Sequence, residues 1–141
     1  SLIQSSSLKN QEKIMIEKIN ETLELLNLSD MKNSYARELS GGQKKLLELG
    51  RSLMKSPKIL LLDEPLAGVN PKLSEQLLEI IFNLNKNGIN ILMVEHNIDA
   101  VMKISERVVV MAEGKIISDG KPDFVRSDTN VIEAYLGSSN E

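Results

Sequence analysis

"ARELSGGQKKLLELGRSLMKSPKILLLDEP", residues 36–65, sets a Ser-Gly-Gly turn before an apolar-periodic run and closes a short apolar stretch with two acids and a proline. The first half predicts a helix starting near Lys44. Its apolar positions include Leu46, Leu47, Leu53 and Met54, and Pro57 ends it. The second half, "KILLLDEP", is a continuous apolar run of strand length. That is the pattern of a strand buried on both faces in a parallel sheet. A helix start leaves backbone N–H groups unpaired and carries partial positive charge, so it attracts phosphate oxygens. Gly41 and Gly42 admit such an oxygen to the backbone without a Cβ in the way, and Ser40 adds a hydroxyl. An N-cap serine in a glycine turn explains the same residues without a ligand. Asp63 and Glu64 end the strand run at its carboxyl edge, where open parallel sheets place ligands. There an Asp can hold Mg²⁺ and a neighbouring carboxylate can take a proton from water. A solvated acidic pair is the alternative.

Outward from this stretch, helices and strands alternate. Residues 11–28 place Met15, Ile19, Leu23 and Leu26 at helical spacing, and residues 29–39 read as a loop or short helix. Asn70 caps a helix whose first residue is Pro71 and which Gly88 stops. "INILMVEH" reads as a second buried strand closed by His96. A histidine at that edge can reach the same cleft, though a solvated strand-end histidine is the commoner case. Asn97 caps a short helix, and "RVVVMAEGKIISDG" is a hairpin turning at Glu113-Gly114. "DTNVIEAYLG" reads as a last helix capped by Asp128 or Thr129. The order predicts an α/β fold with a parallel core.

A chain of 141 residues suits a single folded domain. The net charge of −3, with cations scattered, provides no basic stripe, so nucleic acid is not expected as a partner. No cysteine and one histidine exclude a disulfide framework, thiolate metal sites and multi-histidine sites. The N-terminal stretch lacks the pattern of a secretory signal, and no uninterrupted apolar run approaches the roughly 18 residues of a spanning helix.

The set "LSGGQ" at 39–43, "ILLLDEP" at 59–65 and a histidine closing the next strand resembles the C-terminal part of the nucleotide-binding subunit of ATP-binding cassette transporters. The resemblance implies the C-terminal portion of that P-loop fold, with residues 1–56 in the helical signature subdomain and 57–141 in the ATPase core. It implies that Ser40, Gly41, Gly42 and Gln43 contact the γ-phosphate of an ATP held mainly by a second, head-to-tail nucleotide-binding subunit. It also implies that Asp63 organises Mg²⁺, that Glu64 is the general base and that His96 senses the γ-phosphate. Transmembrane permease subunits would be partners, which places the protein on the cytoplasmic face of the membrane. Residues 66–70, "LAGVN", take the place of the family's D-loop, with Ala67 and Asn70 where Ser and Asp are common. "AGVNP", "ERVVVMAEGKIISDGKP" and "VIEAYLG" look most like branched-chain amino acid importer ATPases. Lipopolysaccharide-export ATPases are similar in the same segments. The ATPase heads of DNA-repair or chromosome-organising proteins share the two motifs but are flanked by coiled-coil heptads, which this chain lacks.

None of the eight glycines begins a GxxxxGK[ST] loop, since Ile116 and Pro122 follow the two Gly-Lys pairs. The expectation is therefore a fragment that begins inside the helical subdomain, lacks the Walker A strand and loop, and is inactive alone. It would pair only with a complete subunit or self-associate through exposed strand edges.

Overall fold

The computed structural model describes the backbone of residues 2–136 and the side chains of residues 7–135. It falls into two units, residues 1–94 and 95–141. In the first, helix α1 (Leu2–Leu25) is followed by 3-10 turns at Ser29–Met31 and Ala36–Glu38 and by helix α2 (Gly41–Leu53). Strand β1 (Ile59–Asp63), helix α3 (Pro71–Lys86) and strand β2 (Asn90–Val94) complete it. The two strands pair in parallel, with Leu61 opposite Leu92 and Asp63 opposite Val94, joined by the α3 crossover as parallel pairing requires.

The helix ends follow from their sequences. After α1, Asn27 takes a left-handed φ of 53°, and the N–H groups of Leu28 and Asn27 bond back to Leu23 O (2.8 Å) and Glu24 O (3.0 Å). Gly88 (φ 92°) closes α3 in the same way, through Ile89 N to Leu84 O (3.1 Å) and Gly88 N to Asn85 O (2.9 Å). Both are Schellman arrangements that occupy the otherwise orphaned last carbonyls. At the other end of α3, the Asn70 side chain accepts from Leu73 N–H at 3.0 Å with Pro71 in the first turn.

The core of this unit gathers Leu26, Leu28, Leu46, Leu49, Leu53 and Leu60 with Leu77, Ile80, Ile81 and Leu84 of α3. Helices α1 and α2 approach closely at Gly50, where a Cβ would lie 2.6 Å from a methyl of the fully buried Leu26. Lys18 reaches from α1 to Met54 O (2.9 Å) and to the Ser56 hydroxyl, so that α1 also covers the end of α2.

Two expectations change. Strand β1 is covered on one face only: Leu60 is buried, whereas Leu61 is 71% exposed and Leu92 beside it 63% exposed, with Ile59 and Val94 also open. The face inside the unit is covered, and no described residue of the unit covers the other. Of the apolar set predicted for the first helix, only Leu26, which falls just past the end of α1, is fully buried; Met15 is 52% exposed, and the helix begins at Leu2 rather than near residue 11.

The second unit holds helix α4 (Ile98–Ile104), strands β3 (Val108–Ala112) and β4 (Lys115–Gly120), and helices α5 (Pro122–Ser127) and α6 (Thr129–Val131), with a wide π turn over Ile132–Leu136. The hairpin turns at Glu113 (φ 50°) and Gly114 (φ 75°), the double left-handed pair that matches the twist of the strands. Val108, Val125 and Val131 form its core, packed by Val101, Met102 and Val110. Helix α5 is not anticipated from the sequence, because six residues are too few to show a period. The last helix was expected to run on to Gly137, which lies outside the described residues.

Candidate functional site

Ser40 stands at the start of α2 with extended backbone (φ −61°, ψ 162°) and makes a closed capping box: its hydroxyl accepts from Gln43 N–H (3.2 Å), and Gln43 Oε1 accepts from Ser40 N–H (2.9 Å). The N-cap role is therefore real. It leaves the Ser40 hydroxyl proton and the Gln43 Nε2 amide as donors, together with the Gly41 and Gly42 N–H groups, which bond to no described residue.

The two glycines differ. A Cβ on Gly41 would meet nothing within 4 Å, whereas one on Gly42 would lie 1.9 Å from Leu73 Cδ2. Gly42 thus lies against the Leu73 side chain, where α2 and α3 begin, and Gly41 is the one that leaves open backbone facing solvent.

Asp63 is the exposed last residue of β1. Glu64 follows with a left-handed φ of 44°, rare for a residue with a side chain. Its N–H continues the ladder to Val94 O (2.9 Å), and its carbonyl accepts from Ala67 N–H (3.1 Å), so the chain leaves the sheet edge in a tight turn that buries Leu66. Lys45 of α2 reaches the same turn, with Nζ at 3.3 Å from Glu64 O and 3.5 Å from Pro65 O. A cleft of about 200 Å³ opens here, with Lys45, Glu48, Asp63 and Glu64 on its polar side and Leu49, Leu77 and Ile81 at its base.

The turn at 66–70 is held by Val69 N–H to Leu66 O (3.3 Å) and by the left-handed Gly68 (φ 69°). It ends in the Asn70 cap. Asn at this position therefore does locally what an Asp would do.

His96 is exposed and belongs to the second unit, next to Asn97, whose side chain caps α4 by accepting from Ala100 N–H at 3.1 Å. Ser40 to Gln43 and Asp63–Glu64 thus share one unit and are joined through α2, while His96 stands in the other. Sequence reasoning missed Lys45, because "KK" in an amphipathic helix reads as a solvated face. It also missed the Gly42–Leu73 contact, which has no local signal.

No group of three or more His, Cys, Asp or Glu side chains able to hold a metal occurs among the described residues. Mg²⁺ needs no such cage. It keeps waters and takes one or two carboxylates plus phosphate oxygens, and the exposed carboxylate of Asp63 at the strand end is the right donor for that. Four donors at the α2 N-terminus likewise fit a phosphate. No helix among the described residues is long and apolar enough to cross a membrane.

Comparison with known proteins adds independent findings. Residues 2–67 match the family model described as ABC transporter, and residues 115–140 match that of the branched-chain amino acid ATP-binding cassette transporter. A probable branched-chain amino acid transport ATP-binding protein of Archaeoglobus fulgidus is 45% identical over 133 residues, which is 94% of this chain and 51% of that protein. A lipopolysaccharide export system ATP-binding protein of Haemophilus influenzae is 37% identical over 121 residues, 86% of this chain and 50% of that protein. Among solved structures, the ADP conformation of MJ1267, an ATP-binding cassette of an ABC transporter, matches with a TM-score of 0.79 at 42% identity, covering 87% of this chain and 50% of that one. The chain thus spans about half the length of the relatives it matches. With the signature turn capping α2, the acidic pair ending a parallel strand, and these matches in sequence and fold, the chain belongs to the ATP-binding cassette transporter family and corresponds to the C-terminal part of its nucleotide-binding subunit.

Proposed function

We propose that this chain supplies the signature, Walker B and switch residues of an ATP-hydrolysing subunit that energises uptake of branched-chain amino acids. The observation that carries the reading is the pairing, in one unit, of a donor-rich α2 N-terminus with an acidic turn at the end of β1. Residues 1–56 form the signature-bearing part and 57–141 the ATPase-core part.

Each residue has a role of its own. The Ser40 hydroxyl, the Gly41 and Gly42 N–H groups and the Gln43 side-chain amide donate to the γ-phosphate of a nucleotide seated mainly on a head-to-tail partner subunit. Asp63 would hold Mg²⁺, which would supply charge neutralisation to the phosphate oxygens. Glu64 takes a proton from the attacking water, and His96 senses the γ-phosphate. Permease subunits hold the assembly at the cytoplasmic face of the membrane. The match of residues 115–140 to the branched-chain model favours amino acid uptake over lipopolysaccharide export.

Within these 141 residues no GxxxxGK[ST] loop positions the β- and γ-phosphates, so the chain by itself behaves as a non-catalytic half that pairs with a complete subunit. Calorimetry with ATP and Mg²⁺, using Glu64→Gln as control, tests this. The proposal expects no binding by the chain alone; micromolar binding would mean a phosphate site built from other residues.

A further inference from the structure

We infer that Lys45 is a positioning residue for Glu64: its ammonium grips two consecutive backbone carbonyls and sets the direction in which the Glu64 side chain leaves the sheet edge. The inference deepens the reading of Glu64 as general base and rests on it for its catalytic meaning.

The geometry begins with the backbone. In an extended strand successive carbonyls point to opposite sides, so two neighbouring carbonyls cannot meet one donor. Glu64 O and Pro65 O do meet one, at 3.3 and 3.5 Å from Lys45 Nζ, because the chain has left the strand. It does so through the left-handed Glu64, a conformation that persists in a residue with a Cβ only where the surroundings hold it. Among the contacts that hold it are three of its backbone. Val94 O takes the Glu64 N–H, Ala67 N–H takes the Glu64 carbonyl, and the lysine bridges that carbonyl to the next. The first two come from the sheet and from the turn itself, and Lys45 comes from α2.

That helix is a fixed point. Its start is closed by the Ser40–Gln43 capping box, Gly42 lies against Leu73, and Leu46 and Leu49, which follow the lysine in α2, are buried. Proton abstraction requires the base within hydrogen-bond reach of the attacking water, and a shift of about 1 Å is enough to lose much of the rate. A lysine anchored on α2 keeps the Glu64 Cα–Cβ bond from swinging with the turn. Because α2 begins at Ser40, the same side chain also makes the donor-rich helix start and the acidic turn one mechanical piece.

The test is amide hydrogen exchange by NMR on the 141-residue chain in three forms: unaltered, Lys45→Met, which keeps an apolar stem, and Lys45→Arg, which keeps a cationic donor. The expected result is exchange about tenfold faster at Glu64 and Ala67 in Lys45→Met, with Leu49, Leu60 and Leu78 unchanged, and return to the original rates in Lys45→Arg. Unaltered exchange at Glu64 and Ala67 in Lys45→Met, a uniform rise across α2, β1 and α3, or failure of Lys45→Arg to restore protection would each overturn the inference. No nucleotide enters the measurement, so its outcome is separate from the calorimetric test of the nucleotide reading.

Discussion

Gly41 and Gly42 are adjacent and identical, yet they answer to different constraints. Gly42→Ala displaces the end of the half-buried Leu73 side chain and is expected to cost no more than about 1 kcal/mol, read as a lower urea midpoint. Gly41→Ala, in open space, is expected to change stability by less than about 0.5 kcal/mol in the same titration. Glu64→Gln keeps the size and the turn but removes the proposed base. In a complex of this chain with a complete subunit it is expected to lower phosphate release about 10²–10⁴-fold at the site it serves. Ser40, Gly41, Asp63, Glu64 and His96 were legible as candidates because each sits in a short motif at an element boundary. Lys45 was not, because its role is to reach a turn nineteen positions away, and nothing local in "QKKLL" records that contact.

At the scale of elements, boundaries encoded by side chains were readable and coverage was not. Asn70, Asn97 and Gly88 cap where the sequence says they should, and Glu113-Gly114 turns the hairpin. The run "ILLL" carries no alternation, so it identifies a parallel strand without telling that Leu61 would stay open. Helix α1 extends through the serine-rich residues before Lys9, which carry neither a cap signal nor an apolar period. In the second unit, the end of β4 is tied to α6 by Ser118 Oγ donating to Asp128 Oδ2 at 2.7 Å, while Asp128 Oδ1 accepts from Asn130 N–H at 3.0 Å. The Ser118 hydroxyl first, and the Asn130 amide second, hold the Asp128 carboxyl below its ordinary range. A carboxyl lowered in the folded state contributes stability above its unfolded value of about 4, and that contribution is lost as the pH falls toward the folded value. Asp128→Asn is therefore expected to flatten the acid limb of thermal stability below about pH 4 while leaving its slope near pH 7 unchanged. A thermal melt series over pH 2–7 reads this, and an acid limb identical in the two proteins would contradict it.

Across the whole molecule, the described sheet leaves apolar surface exposed. Ile59, Leu61, Leu92 and Val94 make a contiguous face on a two-stranded sheet whose outer edges are unpaired among the described strands. Such a face with open edges invites another strand or sheet. A second copy of this chain is the occupant always present in a pure sample. Light scattering is expected to show association that rises with concentration and is reduced by Leu61→Lys, whereas a clean monomer at high concentration would count against it.

An α2 start that reads a nucleotide held by another subunit makes pairing depend on that nucleotide. The measurement is analytical ultracentrifugation of this chain with a complete nucleotide-binding subunit of the family, with and without ATP and Mg²⁺, comparing the unaltered chain with Gly41→Asp. An acid in the first turn suits the helix dipole and has open space at Gly41, so it preserves the fold, yet it repels a phosphate. The expected result is a heterodimer that forms only with nucleotide and is lost in Gly41→Asp. Pairing that ignores ATP, or that survives the added charge, would contradict it.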